Sequence, residues 1–180
     1  MKIGIVGQGY VGTAVKEVFS KHYETNTFDL NGDCTCTDIE DLVDKSDIIF
    51  VCVPTPMKKD GSCDISIVES VIDEIEDVDI SGKIVAIKST IPPGTTNRLN
   101  QKCKNISVIF NPEFLTEANF IEDFKNQNRI IIGGDTINVE PVIEPRETLA
   151  NHDKAKNVLG WSPKGNLEKW IPSWKEKIGL

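Results

Sequence analysis

The chain has no apolar run near the ~20 residues a membrane-spanning helix needs. Its opening, MKIGIVGQGY, places glycines where a secretory signal would carry its apolar stretch, so the sequence predicts a protein that is neither exported nor membrane-bound. Basic charge is also scarce, with 20 Lys and Arg against 28 Asp and Glu and a net charge of −8. That field repels a nucleic acid or an anionic membrane surface and makes either a poor partner. Only five cysteines (Cys34, Cys36, Cys52, Cys63 and Cys103) occur. They are odd in number, and no second Cys or His pair stands at zinc-site spacing from Cys34-Thr35-Cys36, so a reduced, cytoplasmic chain without a metal is expected. His22 and His152 have no neighbouring nucleophile and read as surface or capping residues.

What is present is an ordinary globular mixture, 39% hydrophobic over 180 residues, enough for one domain of usual size. It is unevenly spread. All three tryptophans (Trp161, Trp170, Trp174) lie in the last 20 residues, where 152–180 hold six lysines against three acids. The prolines of Val139-Glu140-Pro141-Val142-Ile143-Glu144-Pro145 suit an extended connector. These shifts place a boundary near residue 138, giving a body over 1–138 and a connector with a helical tail over 139–180. In the tail, Asn151 and Asn166 are helix caps, and Leu167, Trp170, Ile171, Trp174 and Ile178 share one apolar face, with Pro172 a kink or a delayed start. The two helices are expected to pack on the body; left uncovered, that stripe is a dimer contact.

Over the body, β-rich runs alternate with helical patterns. Strands are expected at 2–6, 25–29, 47–53, 83–87, 106–110 and 129–132. Several are continuous Ile/Val/Phe runs, the mark of strands covered on both faces. Helices are expected over 11–20, burying Val11, Val15, Val18 and Phe19, from an Asp64 cap, burying Ile65, Val68, Val71, Ile72 and Ile75, and from Pro92-Pro93. This β-α-β rhythm predicts an α/β fold with a doubly wound parallel sheet.

Gly7-Gln8-Gly9-Tyr10-Val11-Gly12 is a G-x-G-x-x-G between the first strand and first helix. Gly7 permits the tight turn, Gly9 a close approach of backbone to a diphosphate, and Gly12 close packing of helix on strand. The free N–H groups and positive helix end would hold the phosphates. Asp29, at the end of the second strand, would accept from ribose hydroxyls and repel a 2′-phosphate, favouring NAD over NADP. This is the signature of a Rossmann-type domain. Three further segments follow strands three, four and five: Pro54-Thr55-Pro56, the run from Ser89 to Thr96, and the run from Asn111 to Glu117. Ligands bind at that edge of open α/β sheets, although turn geometry alone also accounts for such residues. Lys58-Lys59-Asp60-Gly61 reads as a solvated turn, with a phosphate contact as the alternative.

With IGIVGQGYVG, DIIFVCVPTPMKKDG, IVAIKSTIPPGTT and FNPEFLTEANFIEDFKNQNRIIIGG in this order, residues 1–134 resemble the N-terminal domain of the UDP-glucose/GDP-mannose dehydrogenase family. Its members oxidise the C6 alcohol of a nucleotide sugar to a carboxylate, using two NAD and a covalent cysteine adduct. The resemblance implies that Gly7, Gly9, Tyr10, Val11, Gly12 and Asp29 hold the cofactor's phosphates and ribose. It implies further that Thr55, Thr90 and Glu117 line the cofactor cleft, and that Thr90 and Glu113 position or activate water during thioester hydrolysis. The family's central helix with its catalytic Lys and Asn, its sugar domain and its nucleophilic Cys have no counterpart among these 180 residues. Without the thiol no thiohemiacetal forms. The expectation is therefore an NAD-binding protein that is incomplete as a stand-alone oxidoreductase and that works on a nucleotide sugar with a second chain supplying the sugar domain. The alternatives are a non-catalytic interaction module, a partner subunit for an epimerase or dehydrogenase, and an oxidoreductase or epimerase of altered chemistry. Residues 146–168 resemble the C-terminal end of NAD-dependent sugar epimerases, but neither Tyr10 nor Tyr23 is followed by a lysine four residues on, as an epimerase couple would require.

Overall fold

The computed structural model describes residues 1–127 and 130–134. Five parallel strands, β1 (Lys2–Val6), β2 (Glu24–Phe28), β3 (Ile48–Val51), β4 (Ile84–Ile87) and β5 (Ser107–Phe110), lie in the order β2-β1-β3-β4-β5. The helices are α1 (Tyr10–Phe19), α2 (Ile39–Asp44), α3 (Ser66–Val78), α4 (Thr95–Lys102) and α5 (Phe120–Lys125). The chain winds from β1 to β2 in one direction and from β3 to β5 in the other. The reversal falls at β1, where this class of sheet opens a crevice beyond its carboxyl ends.

Side-chain alternation along β1 divides the core. Ile3 and Ile5 point to the α1 side, where they pack with Val15, Cys52, Phe19 and Phe124. Val6 points to the other face, into a larger cluster with Leu42 and Val43 of α2, Val68, Val71, Ile72 and Ile75 of α3, and Leu99 of α4. Each fully buried Val, Leu or Ile side chain contributes roughly 1.5–3 kcal/mol, so a helix carrying four of them is held by packing more than by propensity. A Cβ on Gly4 would come within 2.6 Å of Ser46 Oγ and 2.8 Å of Leu42 Cδ2. Glycine there lets α2 and its following turn approach β1.

Several expected boundaries shift for local reasons. Asp64 accepts from the Ser66 amide at 3.0 Å, but the cap position belongs to Ile65, which is only half-buried, and α3 starts one residue later than an Asp64 cap would place it. Pro92 and Pro93 stand ahead of α4 rather than in it. The helix starts after Gly94, whose φ of +85° lies in the left-handed region that glycine occupies without strain. In α1, Gly12, Ala14 and Val15 are buried, whereas Val11, Val18 and Phe19 are partly covered. Of the strand expected at 129–132, the described residues 130–132 form none, and a single antiparallel bridge joins Phe110 and Gly133. The boundary near 138, the tail helices, the tryptophan face and His152 lie outside the described residues. Among those described, no helix is long and apolar enough to cross a membrane. Cys36 is buried in the larger core cluster.

Asp79 closes α3 with its side chain 1% exposed. Burial pushes its carboxyl up. The Ser81 hydroxyl at 2.6 Å, the Lys83 amide at 2.9 Å and the Lys83 ammonium at 3.0 Å overcome this. The net effect is a pKa lowered from 3.8 to about 2. Because the folded value lies below the unfolded one, the stabilisation is present above about pH 4 and is lost as pH falls towards 2. Asp79→Asn is therefore expected to cost about 2 kcal/mol at neutral pH and to flatten the loss of stability between pH 4 and 2. Urea midpoints measured across that range check this; parallel curves for variant and parent would count against it.

Candidate functional site

A cavity of about 1060 Å³ runs along the carboxyl ends of the strands. Gly7, Gly9, Tyr10, Val11, Asp29, Thr55, Thr90, Glu113 and Glu117 all border it. Gly12 does not, because it lies beneath the loop. His22 and the 58–61 turn, which Lys58 N–H closes by donating to Ser62 O at 2.7 Å, also lie away from it.

The three loop glycines have three different reasons. Gly7 takes a φ of +93°, and a Cβ on it would sit 2.5 Å from the Cys52 carbonyl oxygen. A Cβ on Gly12 would sit 1.8 Å from the Gly7 carbonyl oxygen, so α1 can start this close to the turn only without a side chain there. Gly9 has nothing within 4 Å of such a Cβ. The space above it is open to the cavity, and no fold contact requires glycine at this position.

Gly9 also caps α1 with no side-chain hydrogen bond, and no acidic residue occupies the first turn. The leading amides of this helix are free to serve a ligand, and the helix end carries a partial positive charge. The other wall charges make this matter. Among the described residues the cavity is bordered by Asp29, Glu74, Glu113 and Glu117 and by one cation, Lys88, which is already paired with Glu113 at 2.8 Å. An anionic diphosphate entering this cavity has the α1 amides as its unspent positive partner.

Asp29 stands beside that loop. One carboxylate oxygen accepts from the Gln8 amide at 2.6 Å and the other from the Asn31 amide at 2.8 Å. Each oxygen retains a further lone pair for a hydroxyl donor. Leu30 and Ile67, 89% and 42% exposed, flank this end and offer apolar surface to a flat ring. The open space over Gly9, the uncapped helix and the acceptor-only carboxylate together fit an adenine dinucleotide.

The opposite end contains groups that sequence reasoning passed over. Lys88, directly after β4, is 4% exposed. It donates to Asn111 Oδ1 at 3.0 Å and lies 5.3 Å from the centre of the Phe124 ring. Its position inside the apolar run Ile84-Val85-Ala86-Ile87-Lys88 was the available signal, because a buried lysine has to be paired. Thr90 is exposed, and its carbonyl accepts from the Cys63 thiol at 3.5 Å. Tyr10 packs edge-on against Phe120 at 5.4 Å. Cys52 also borders the cavity, but burial pushes its thiol up to about 12, with Lys88 lowering it and Glu113 raising it. A thiol this reluctant to ionise is no nucleophile at neutral pH.

Fold and site together define a dinucleotide-binding domain of the Rossmann class. Residues 30–145 match the NAD binding domain of the UDP-glucose/GDP-mannose dehydrogenase family, and the chain belongs to that family. An uncharacterized protein of Methanocaldococcus jannaschii is 38% identical over 133 residues, 72% of this chain and 15% of that protein. UDP-glucose 6-dehydrogenase 2 of Arabidopsis thaliana is 36% identical over 143 residues, 73% of this chain and 28% of that enzyme. The crystal structure of a ternary complex of GDP-mannose dehydrogenase from Pseudomonas aeruginosa superposes with a TM-score of 0.66 at 27% identity, over 74% of this chain and 41% of that one. The chain thus spans between about a seventh and a little over a quarter of the two curated relatives.

Proposed function

We propose that this chain holds NAD in an extended pose along the sheet edge and serves as the coenzyme-binding part of a nucleotide-sugar dehydrogenase acting in the cytoplasm. The observation that carries this reading is the uncapped start of α1 beneath the open space at Gly9, with Asp29 one strand away. The Gly9, Tyr10 and Val11 amides would bind the diphosphate, and Asp29 would accept from the adenosine ribose hydroxyls. Thr55, Thr90 and Glu117 would line the nicotinamide half, where Thr90 and Glu113 would orient a water or a substrate hydroxyl. NAD bound there supplies a hydride acceptor for an alcohol. The reactive thiol and the sugar-binding surface would come from outside the described residues, including from a second chain, since the cavity's own cysteine stays protonated.

Calorimetric titration tests this reading. The parent chain is expected to bind NAD in preference to NADP. Asp29→Ala is expected to weaken NAD by about 1–3 kcal/mol, roughly 5- to 150-fold, while narrowing the preference over NADP. Equal affinity of parent and variant for NAD would remove Asp29 from the site.

A further inference from the structure

We propose that the buried Lys88–Glu113 ion pair sets the balance between oxidised and reduced nicotinamide in this cavity, with the Lys88 ammonium cancelling a carboxylate that would otherwise favour the cationic oxidised ring. The inference rests on the NAD reading above and adds a residue and a property to it.

Both charges are fixed. The Lys88 and Glu113 side chains are 3% and 7% exposed, and Lys88 Nζ lies 2.8 Å from Glu113 Oε2. Asn111 Oδ1 and the Phe124 ring hold the ammonium. The other Glu113 oxygen accepts from the Phe114 amide at 2.8 Å and the Gln127 side-chain amide at 2.7 Å. Asn111 is tied in turn to the Ile131 carbonyl at 2.8 Å. Such a pair is a poor device for stability, because desolvation consumes much of the attraction and an apolar pair would pack as well. Neither group can swing away and water does not screen them, so each charge is felt in the cavity at full strength once the other is removed.

Position selects the nicotinamide as the group that feels this field. Lys88 and Glu113 follow the paired ends of β4 and β5, whereas the diphosphate and ribose groups follow β1 and β2. At ~4.8 Å between strands, the pair stands ~10–14 Å across the sheet from the β1 loop, on the side away from Asp29. The nicotinamide ring is cationic when oxidised and neutral when reduced. The opposite charges of the pair largely cancel at the ring, and removing one of them leaves a full charge that separates the two forms.

Binding of NAD and NADH to the full chain, measured separately by calorimetry for the parent, Glu113→Gln and the Lys88→Met/Glu113→Gln double variant, tests the proposal. In Glu113→Gln an uncompensated ammonium remains, and the affinity for NAD relative to NADH is expected to fall about tenfold. Removing Lys88 as well should restore the ratio to within about threefold of the parent, a recovery that packing damage does not produce. The double variant replaces the pair with neutral groups, a change that buried pairs tolerate. Asp29, Glu74 and Glu117 are unchanged in all three proteins and cancel from the comparison. Equal weakening of both forms in Glu113→Gln, or a double variant no closer to the parent than the single one, would overturn the proposal while leaving the NAD reading intact. Failure of the parent to bind either form would overturn both.

Discussion

Replacing Gly12 by alanine is expected to destabilise the domain by about 3 kcal/mol or more and to abolish NAD binding. The methyl would have to occupy a point 1.8 Å from the Gly7 carbonyl oxygen and 2.9 Å from its carbon. Both belong to backbone, so no side-chain rotation relieves the clash, and either α1 or the β1 turn has to move. The turn is itself anchored, with Gly7 N–H donating to Phe28 O at 2.8 Å and Cys52 N–H donating to Val6 O at 2.7 Å. The first turn of α1 is therefore the part that gives, and with it the amides that face the cavity. Urea unfolding with an unchanged m-value measures the stability change, and calorimetry the binding. A variant within 0.5 kcal/mol of the parent would show that this contact is not the constraint described.

Gly9→Ala is expected to do the reverse, leaving stability unchanged or raised by up to ~1 kcal/mol while weakening NAD at least tenfold. Gly9 sits at φ −69° and ψ −164°, a conformation open to alanine. No protein atom stands within 4 Å of the added carbon. The methyl instead fills the space through which a diphosphate approaches the backbone. Two glycines three residues apart are thus distinguished, one required by the fold and the other by the ligand. If Gly9→Ala binds NAD as the parent does, the diphosphate lies elsewhere.

The parts of this molecule legible in its sequence are those where one residue type has one physical use. Continuous apolar runs such as Ile48-Ile49-Phe50-Val51 identify strands covered on both faces, and five of the six expected strands form, with no end moved by more than two residues. The glycine loop and Asp29 were readable because a helix, a turn and a close approach each narrow the choice of residue. Helix α2 leaves little trace in the sequence beyond Asp38, which caps it by accepting from the Asp41 amide at 2.8 Å. Six residues are too few to develop a periodic apolar face, so the cap was the main signal. The start of α4 differs from the expected one because proline suits both a first helical turn and the bend before one, and only the positive φ at Gly94 decides between them. The Lys88 pairing is hidden in the sequence for another reason. Its partner Glu113 lies 25 positions away in sequence, and only the adjacency of β4 and β5 brings the two charges together.

The diphosphate's seat on the opening loop can be observed directly from the backbone amide resonances of ¹⁵N-labelled chain as NAD is added. The account predicts that the Gly9, Tyr10 and Val11 amides shift most and become protected from solvent exchange, with smaller changes at Gln8 and Asn31, whose amides Asp29 holds. Saturable binding that leaves those loop resonances in place while perturbing others would contradict it.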